Sequence, residues 1–215
     1  SFNKGILYII IGSFWWGVIG VIYFRSLSFV GSSELVLHRV VWTAVMLIIT
    51  TFYLSKWRQL IIILKNSKNI FYLLVTGTLI FINWSVWIYA VSTNKIVDAS
   101  FGYFIMPILS VLFGYIFFKE KLNKKRIFSI LLVIISILIM IFLNIKTLPW
   151  VGIIVALSWA FYNLVRKKID IDTDIGLLIE SLYIFPFALI AFYIISNNGL
   201  NDFNLNNPGL SLYLL

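Results

Sequence analysis

The side chains best equipped for chemistry stand in the stretch Gly31 to Trp42, GSSELVLHRVVW, where Glu34, the chain's only histidine (His38) and Arg39 open a segment that then runs apolar to Leu54. On a helix Glu34 and His38 are four apart and share a face, with Arg39 rotated about 100° from His38, so the three cover a broad sector aimed at other helices or at a cavity. His38 is the one group here whose ordinary titration falls near neutral pH, which suits a proton-coupled step. Ordinary roles compete with these: Glu34 capping the helix with Ser32 and Ser33, and Arg39 snorkelling to a membrane surface.

Other chemistries find less support. One His and no Cys leave no His/Cys metal site, and no Ser-His-Asp spacing is present. Gly12 to Gly17 has the GxxxxG spacing of a phosphate loop, but Val18 stands where lysine is required. Asp170, Asp172 and Asp174 resemble the acidic magnesium motifs of membrane prenyltransferases, so a membrane-embedded transferase is an alternative reading. Without a second acidic motif, a solvated loop balancing Arg166, Lys167 and Lys168 is the simpler account.

The elements that must position these residues follow from composition. With 61% hydrophobic and 12% charged residues and a mean hydropathy of +1.01, the chain cannot cover a soluble globule and is an all-α polytopic membrane protein. Apolar runs long enough to cross a bilayer lie at 4–24, 34–54, 70–91, 98–118, 124–143, 148–166 and 174–196, and an eighth opens after Pro208-Gly209. With no initiator Met, the sequence reads as a fragment cut at both ends. The first run is longer than the apolar part of a signal peptide. Thirteen of the seventeen Lys and Arg fall on one side of these runs and three on the other, with Arg39 inside. This places the amino terminus and the basic loops in the cytoplasm, and the formal charge of +9 belongs to a membrane surface, not to nucleic acid.

A repeat is also visible. SFWWG (Ser13 to Gly17) has a faint counterpart in SWAFYN (Ser158 to Asn163), and Glu34 has one in Glu180. The spacing divides the chain into a five-helix unit, 1–147, and the start of a second, 148–215. An odd number of crossings makes the second unit inverted.

Within the runs, Asn83 is an interhelical hydrogen bond or part of a site, and Trp84 and Trp87 are core packing or the wall of a site for an apolar or cationic solute. Pro107 sits at the midpoint of ASFGYFIMPILSVLFGYIFF and frees the carbonyl of Tyr103 at membrane depth, while Gly102, Ser110 and Gly114 allow close packing. Pro186 invites a similar argument.

LHRVVW (Leu37 to Trp42), NWSVWIYAV (Asn83 to Val91), ASFGYFIMP (Ala99 to Pro107), FFKEKL (Phe117 to Leu122) and FYNLVRKK (Phe161 to Lys168) together resemble the RarD-type permeases of the EamA family, in the drug/metabolite transporter superfamily. The resemblance covers essentially the whole chain. It implies ten helices in two inverted five-helix repeats, of which helices nine and ten and most of eight would lie beyond this sequence. Members of this branch are commonly labelled chloramphenicol-sensitive or chloramphenicol-resistance proteins, and the wider family exports amino acids and other small metabolites. The expectation is a non-enzymatic secondary transporter of the bacterial inner membrane, without a cofactor, working by alternating access. Its partners would be the lipid bilayer and a small solute, amino acid-like or an amphenicol. Trp16, His38, Arg39, Asn83, Trp84, Trp87, Tyr103 and Asn163 are expected to line a midplane solute site, with Arg39 as counter-charge to an anionic group and Pro107 as hinge. A non-transporting scaffold fits poorly with so many polar groups at membrane depth.

Overall fold

The computed structural model describes residues 2–144 and 150–203. Helix α1 (Phe2–Phe14) runs through a π-helical segment (Trp15–Gly20) into α2 (Val21–Ser26) as one rod. It is followed by α3 (Ser32–Tyr53), α4 (Trp57–Leu64), α5 (Ser67–Ser92), α6 (Ile96–Phe118), α7 (Lys124–Asn144), α8 (Trp150–Arg166) and α9 (Thr173–Asn197). The stretches Gly5–Ser26, Ser32–Tyr53, Ser67–Ser92, Ile96–Phe118 and Thr173–Asn197 are long and apolar enough to cross a membrane, and α8 is a shorter apolar helix. Each apolar run expected between residues 4 and 196 is helical over its described residues, and the chain is a multi-pass membrane protein. The expected eighth helix and the boundary between the two units fall outside the described residues.

Two local features were not expected. One is α4, which is too short to span: eight residues reach about 12 Å. It buries Leu60 and Ile63 against Leu73 of α5 and Ile175, Leu178 and Ile179 of α9 and leaves Ile61 and Ile62 exposed, as an amphipathic helix at the bundle's end does. The other is the π-helical segment, a widened turn of the kind that concentrates at functional sites; it carries Trp16.

The helices pack as an interleaved bundle. α3 lies along α9, α5 is held between α8 and α9, α6 runs along α8, and α7 packs on α6. Small residues set the close approaches. A Cβ added at Gly102 would stand 2.7 Å from the Gly152 carbonyl, and one at Gly152 only 2.4 Å from that of Asp98, so α6 and α8 cross backbone to backbone. Gly77 similarly admits the backbone of Glu180. Tyr8, Ile9, Phe52, Leu131 and Phe187 face outward, as side chains against lipid do.

The loops collect at two ends. At one, Lys56 bonds Asp172 and Asp174 at 3.0 and 2.7 Å, and Lys167 pairs with Glu120. At the other, Lys95 lies over the rings of Tyr89 and Trp150, and the backbone N–H groups of Asp202 and Phe203 each donate to Glu34 at 2.9 Å. Glu34 is thus not a cap for its own helix. The N-cap, Gly31, makes no side-chain cap bond, and the carboxylate instead holds the segment after α9 over the end of α3.

An aromatic cavity around Arg39

Arg39 lies seven residues into α3, roughly 11 Å along the helix axis from its start. Its guanidinium carbon stands 4.6 Å from the ring centre of Trp16 and 4.3 Å from that of Trp84, with Phe24 at 5.9 Å. It does not snorkel. An arginine at membrane depth costs about 2.5 to 3.5 kcal/mol on insertion scales, and a desolvated cation–π contact returns up to about 2 kcal/mol, so two aromatic faces are of the size needed to hold it there. Its Nη1 is buried without a hydrogen-bond partner, and among the described residues no carboxylate lies within ion-pair distance.

This guanidinium forms one wall of a cavity of about 390 Å³ lined by Trp16, Arg39, Asn83, Trp84, Trp87, Tyr103, Met106, Val155 and Trp159. Five elements supply the lining: the π-helical segment, α3, α5, α6 and α8. Trp16 and Trp87 pack with ring centres 4.9 Å apart, and Phe24 meets Trp87 edge-on at 5.4 Å. The Trp16 indole N–H donates to the Tyr103 hydroxyl at 3.4 Å, tying the π-helical segment to α6. Asn83 donates to the Val155 carbonyl at 3.0 Å and to Ser158 Oγ at 3.1 Å, so it is an interhelical clamp between α5 and α8 and a lining residue at once. Chemically this is a largely apolar, aromatic space holding one unpaired fixed cation, with a volume in the usual range for small-molecule sites.

The structure gathers Trp16, Arg39, Asn83, Trp84, Trp87 and Tyr103 around this space and leaves His38 and Asn163 outside it. His38 lines a smaller pocket with Tyr23, Leu35 and Trp42, packs edge-on against Phe192 and Phe203, and has its Nε2 3.8 Å from Glu34. Arg39 lines this pocket as well as the larger cavity, and the 100° between neighbours on a helix turns the His38 ring away from the larger one. Asn163 lines another small pocket nearer the basic loops, with Ser110, Gly114, Glu120 and Lys167. There Lys167, by hydrogen bond and charge, holds the Glu120 carboxyl below the usual carboxylate range. Pro107 lies inside α6, which stays helical through it, and lines a groove toward α7.

Met106, Val155 and Trp159 were not anticipated. Trp159 had a visible signal: it sits in SWAFYN, four residues before Asn163 on the same face of α8. The aspartate loop does not gather into a cluster of its own, since Asp172 and Asp174 converge on Lys56; among the described residues no three His, Cys, Asp or Glu side chains come together as a metal site.

Comparison with known proteins agrees with this architecture. The EamA-like transporter family matches residues 3–142. An uncharacterized transporter of Vibrio cholerae is 36% identical over 99% of this chain and 70% of its own length. Protein RarD of Salmonella typhi is 32% identical over 99% of this chain and 72% of its own. The chloramphenicol-sensitive protein RarD of Pseudomonas aeruginosa is 27% identical over 80% and 58% respectively. No solved structure matches. A multi-pass helical chain with this family match and these relatives is a permease: it belongs to the EamA-like transporter family, on its RarD branch.

Proposed function

We propose that the protein is a gradient-driven permease whose solute binds in the cavity around Arg39. The observation that carries this reading is the guanidinium itself, held over the rings of two tryptophans at membrane depth and, among the described residues, without a carboxylate partner. A buried cation with no counter-ion is stabilised by a ligand that brings one. The solute class that fits is a small molecule with an anionic or strongly hydrogen-bond-accepting group for Arg39 and an apolar or aromatic body for Trp16, Trp84, Trp87 and Trp159. An amino acid-like metabolite satisfies this, and so does an amphenicol such as chloramphenicol, whose nitro group accepts hydrogen bonds and whose ring can stack. The name of the Pseudomonas aeruginosa relative supports testing the latter.

Alternating access is supported by the π-helical segment at Trp16 in the cavity wall, with Pro107 in α6, next to the lining residue Met106, as hinge. Two inverted repeats, 1–147 and from 148 onward, place Glu34 and Glu180 as counterparts on the paired helices α3 and α9. The charge count supports insertion in a bacterial inner membrane with the amino terminus and the Lys56, Glu120 and Lys167 end in the cytoplasm.

The test is solute flux through the full-length protein in proteoliposomes, with labelled chloramphenicol and an amino acid mixture as probes. Arg39→Ala is expected to abolish flux while membrane levels stay normal. Undiminished flux would sink the assignment of Arg39.

A further inference from the structure

Glu180 is a second buried charge that the solute cavity does not use. It is fully enclosed on α9, against α5 and α8. Its Oε1 lies 2.6 Å from Thr76 Oγ1 and its Oε2 3.2 Å from the Tyr162 hydroxyl. Arg166 Nη1 stands 3.8 Å from Oε1, within ion-pair distance but beyond hydrogen-bond reach, and is buried without a hydrogen-bond partner among the described residues.

The bonding around Thr76 allows two proton arrangements on one set of heavy atoms. Thr76 Oγ1 is 3.1 Å from the Tyr72 carbonyl and 3.2 Å from that of Leu73, besides its contact with Glu180. A threonine hydroxyl carries a single proton. When that proton points to Glu180, the carboxylate accepts it. When it points to the helix carbonyls, Thr76 Oγ1 accepts from a protonated Glu180 across the same 2.6 Å. Adding or removing a proton therefore needs only the turn of one hydroxyl. Arg166 supplies the response: it can close 3.8 Å onto an ionised carboxylate and stand off from a neutral one. Its guanidinium occupies the space over Gly176, where a Cβ would come within 2.0 Å of it, so this glycine provides the room. Tyr162 and Arg166 on α8 are the ionisable groups that face Glu180, and Thr76 is the polar group from α5. α3 contributes no ionisable partner among the described residues, and on α9 itself Tyr183 packs beside Gly77 while Asp174 is held by Lys56.

The site is joined to the cavity. The Tyr162 ring stacks on Trp159, with centres 5.3 Å apart and 20° between planes, and Trp159 is part of the cavity wall.

We propose that Glu180 is a proton-binding site that couples proton movement to solute movement, taking one proton from water on one side of the membrane and releasing it on the other, with Thr76 and Tyr162 as reversible partners and Arg166 as the element that moves. This rests on the transport reading, but its first test does not need a solute. In the full-length protein reconstituted in lipid, infrared difference spectra between alkaline and acidic buffer are expected to show one protonated-carboxylic-acid band that Glu180→Gln removes and Arg39→Ala leaves in place. A band that persists in the glutamine variant, or its absence from the native protein, overturns the proposal. Should Glu180→Gln fail to reach the membrane, Thr76→Val must move the midpoint of that band by about one pH unit, a tenfold change in proton affinity; an unmoved midpoint also overturns it. In proteoliposomes, Glu180→Gln should keep chloramphenicol counterflow and lose accumulation driven by an imposed pH gradient. Loss of both in Arg39→Ala with the band intact separates a failed solute site from a failed proton site, and accumulation retained in Glu180→Gln rules out coupling through this residue.

Discussion

The molecule holds two arginines whose guanidinium groups are buried, and they are settled differently. Arg39 is flanked by Trp16 and Trp84 and, among the described residues, has no acid within ion-pair reach; Arg166 lies 3.8 Å from the enclosed carboxylate of Glu180, which also touches Tyr162 and Thr76. The first arrangement is complete only when something negative or strongly accepting enters the cavity. The second carries its own counter-charge and needs no solute. Buried charge alone therefore does not mark a solute site; what marks it is buried charge left unneutralised beside open space.

That contrast is broken or sharpened first by stability. Arg166→Ala leaves Glu180 enclosed without its cation, and removing one partner of a buried pair costs about 3 to 5 kcal/mol. Thermal unfolding of the full-length protein in lipid should show the loss. Arg39→Ala removes the cost of a buried cation together with its two cation–π contacts, opposing contributions of similar size, so its effect on unfolding should stay within about 1 kcal/mol even as flux disappears. Equal destabilisation by the two variants would erase the distinction. Next in size is Trp84→Leu, which removes one aromatic face of Arg39. Without that face the guanidinium must be re-ordered when solute binds, so up to about 2 kcal/mol is drawn from binding and solute affinity is expected to fall by up to about thirtyfold in a ligand-induced thermal shift. Smaller again is Asn83→Ala. Both amide hydrogens of Asn83 are spent on Val155 and Ser158, so the variant should lose about 0.6 to 2 kcal/mol of stability while affinity changes less than tenfold. A larger loss of affinity would make Asn83 a solute ligand and not a clamp.

Arg39 was legible in the sequence because a charge inside an apolar run has few explanations, and the bilayer fixes helix lengths so firmly that the runs could be placed from hydropathy. Which side of a helix a polar residue occupies was less legible. His38 and Asn163 were drawn to the site by polarity, whereas helix rotation and depth send one toward Phe192 and Phe203 and the other toward Lys167. Trp159, an apolar residue by type, was passed over although it shares a face with Asn163. The Arg166–Glu180 pair was hidden for another reason. Arg166 counts as the first of three loop cations and Glu180 as a helix-opening acid, and only the turn between α8 and α9 folds one back onto the other. The π-helical segment and α4 leave no hydropathy signature, since one changes a turn's width without changing its residues and the other is too short to register as a run.

The gentlest test of the comparison lies at the solvated end, where ion pairs have water as an alternative partner. The Lys56 ammonium beside it, with help from Gln59, holds the Asp172 carboxyl below the usual carboxylate range, and Asp174 and Asp172 hold Lys56 above the usual lysine range. A depressed carboxylate contributes stability above its ordinary range and loses it as pH falls through the lowered value; a raised ammonium contributes below its ordinary range and loses it as pH rises through the raised one. The clasp is therefore fully present at neutral pH. Lys56→Met should lower the unfolding temperature slightly there, and the gap from the native protein should narrow at acid pH, at strongly alkaline pH and in high salt, because exposed pairs are screened. A gap that ignores salt and pH would mean that the lysine stem, packed against neighbouring side chains, supplies the effect. The clasp would then stabilise by packing, and the line between charges settled by water and charges settled by protein would have to be drawn at the solvated end as well.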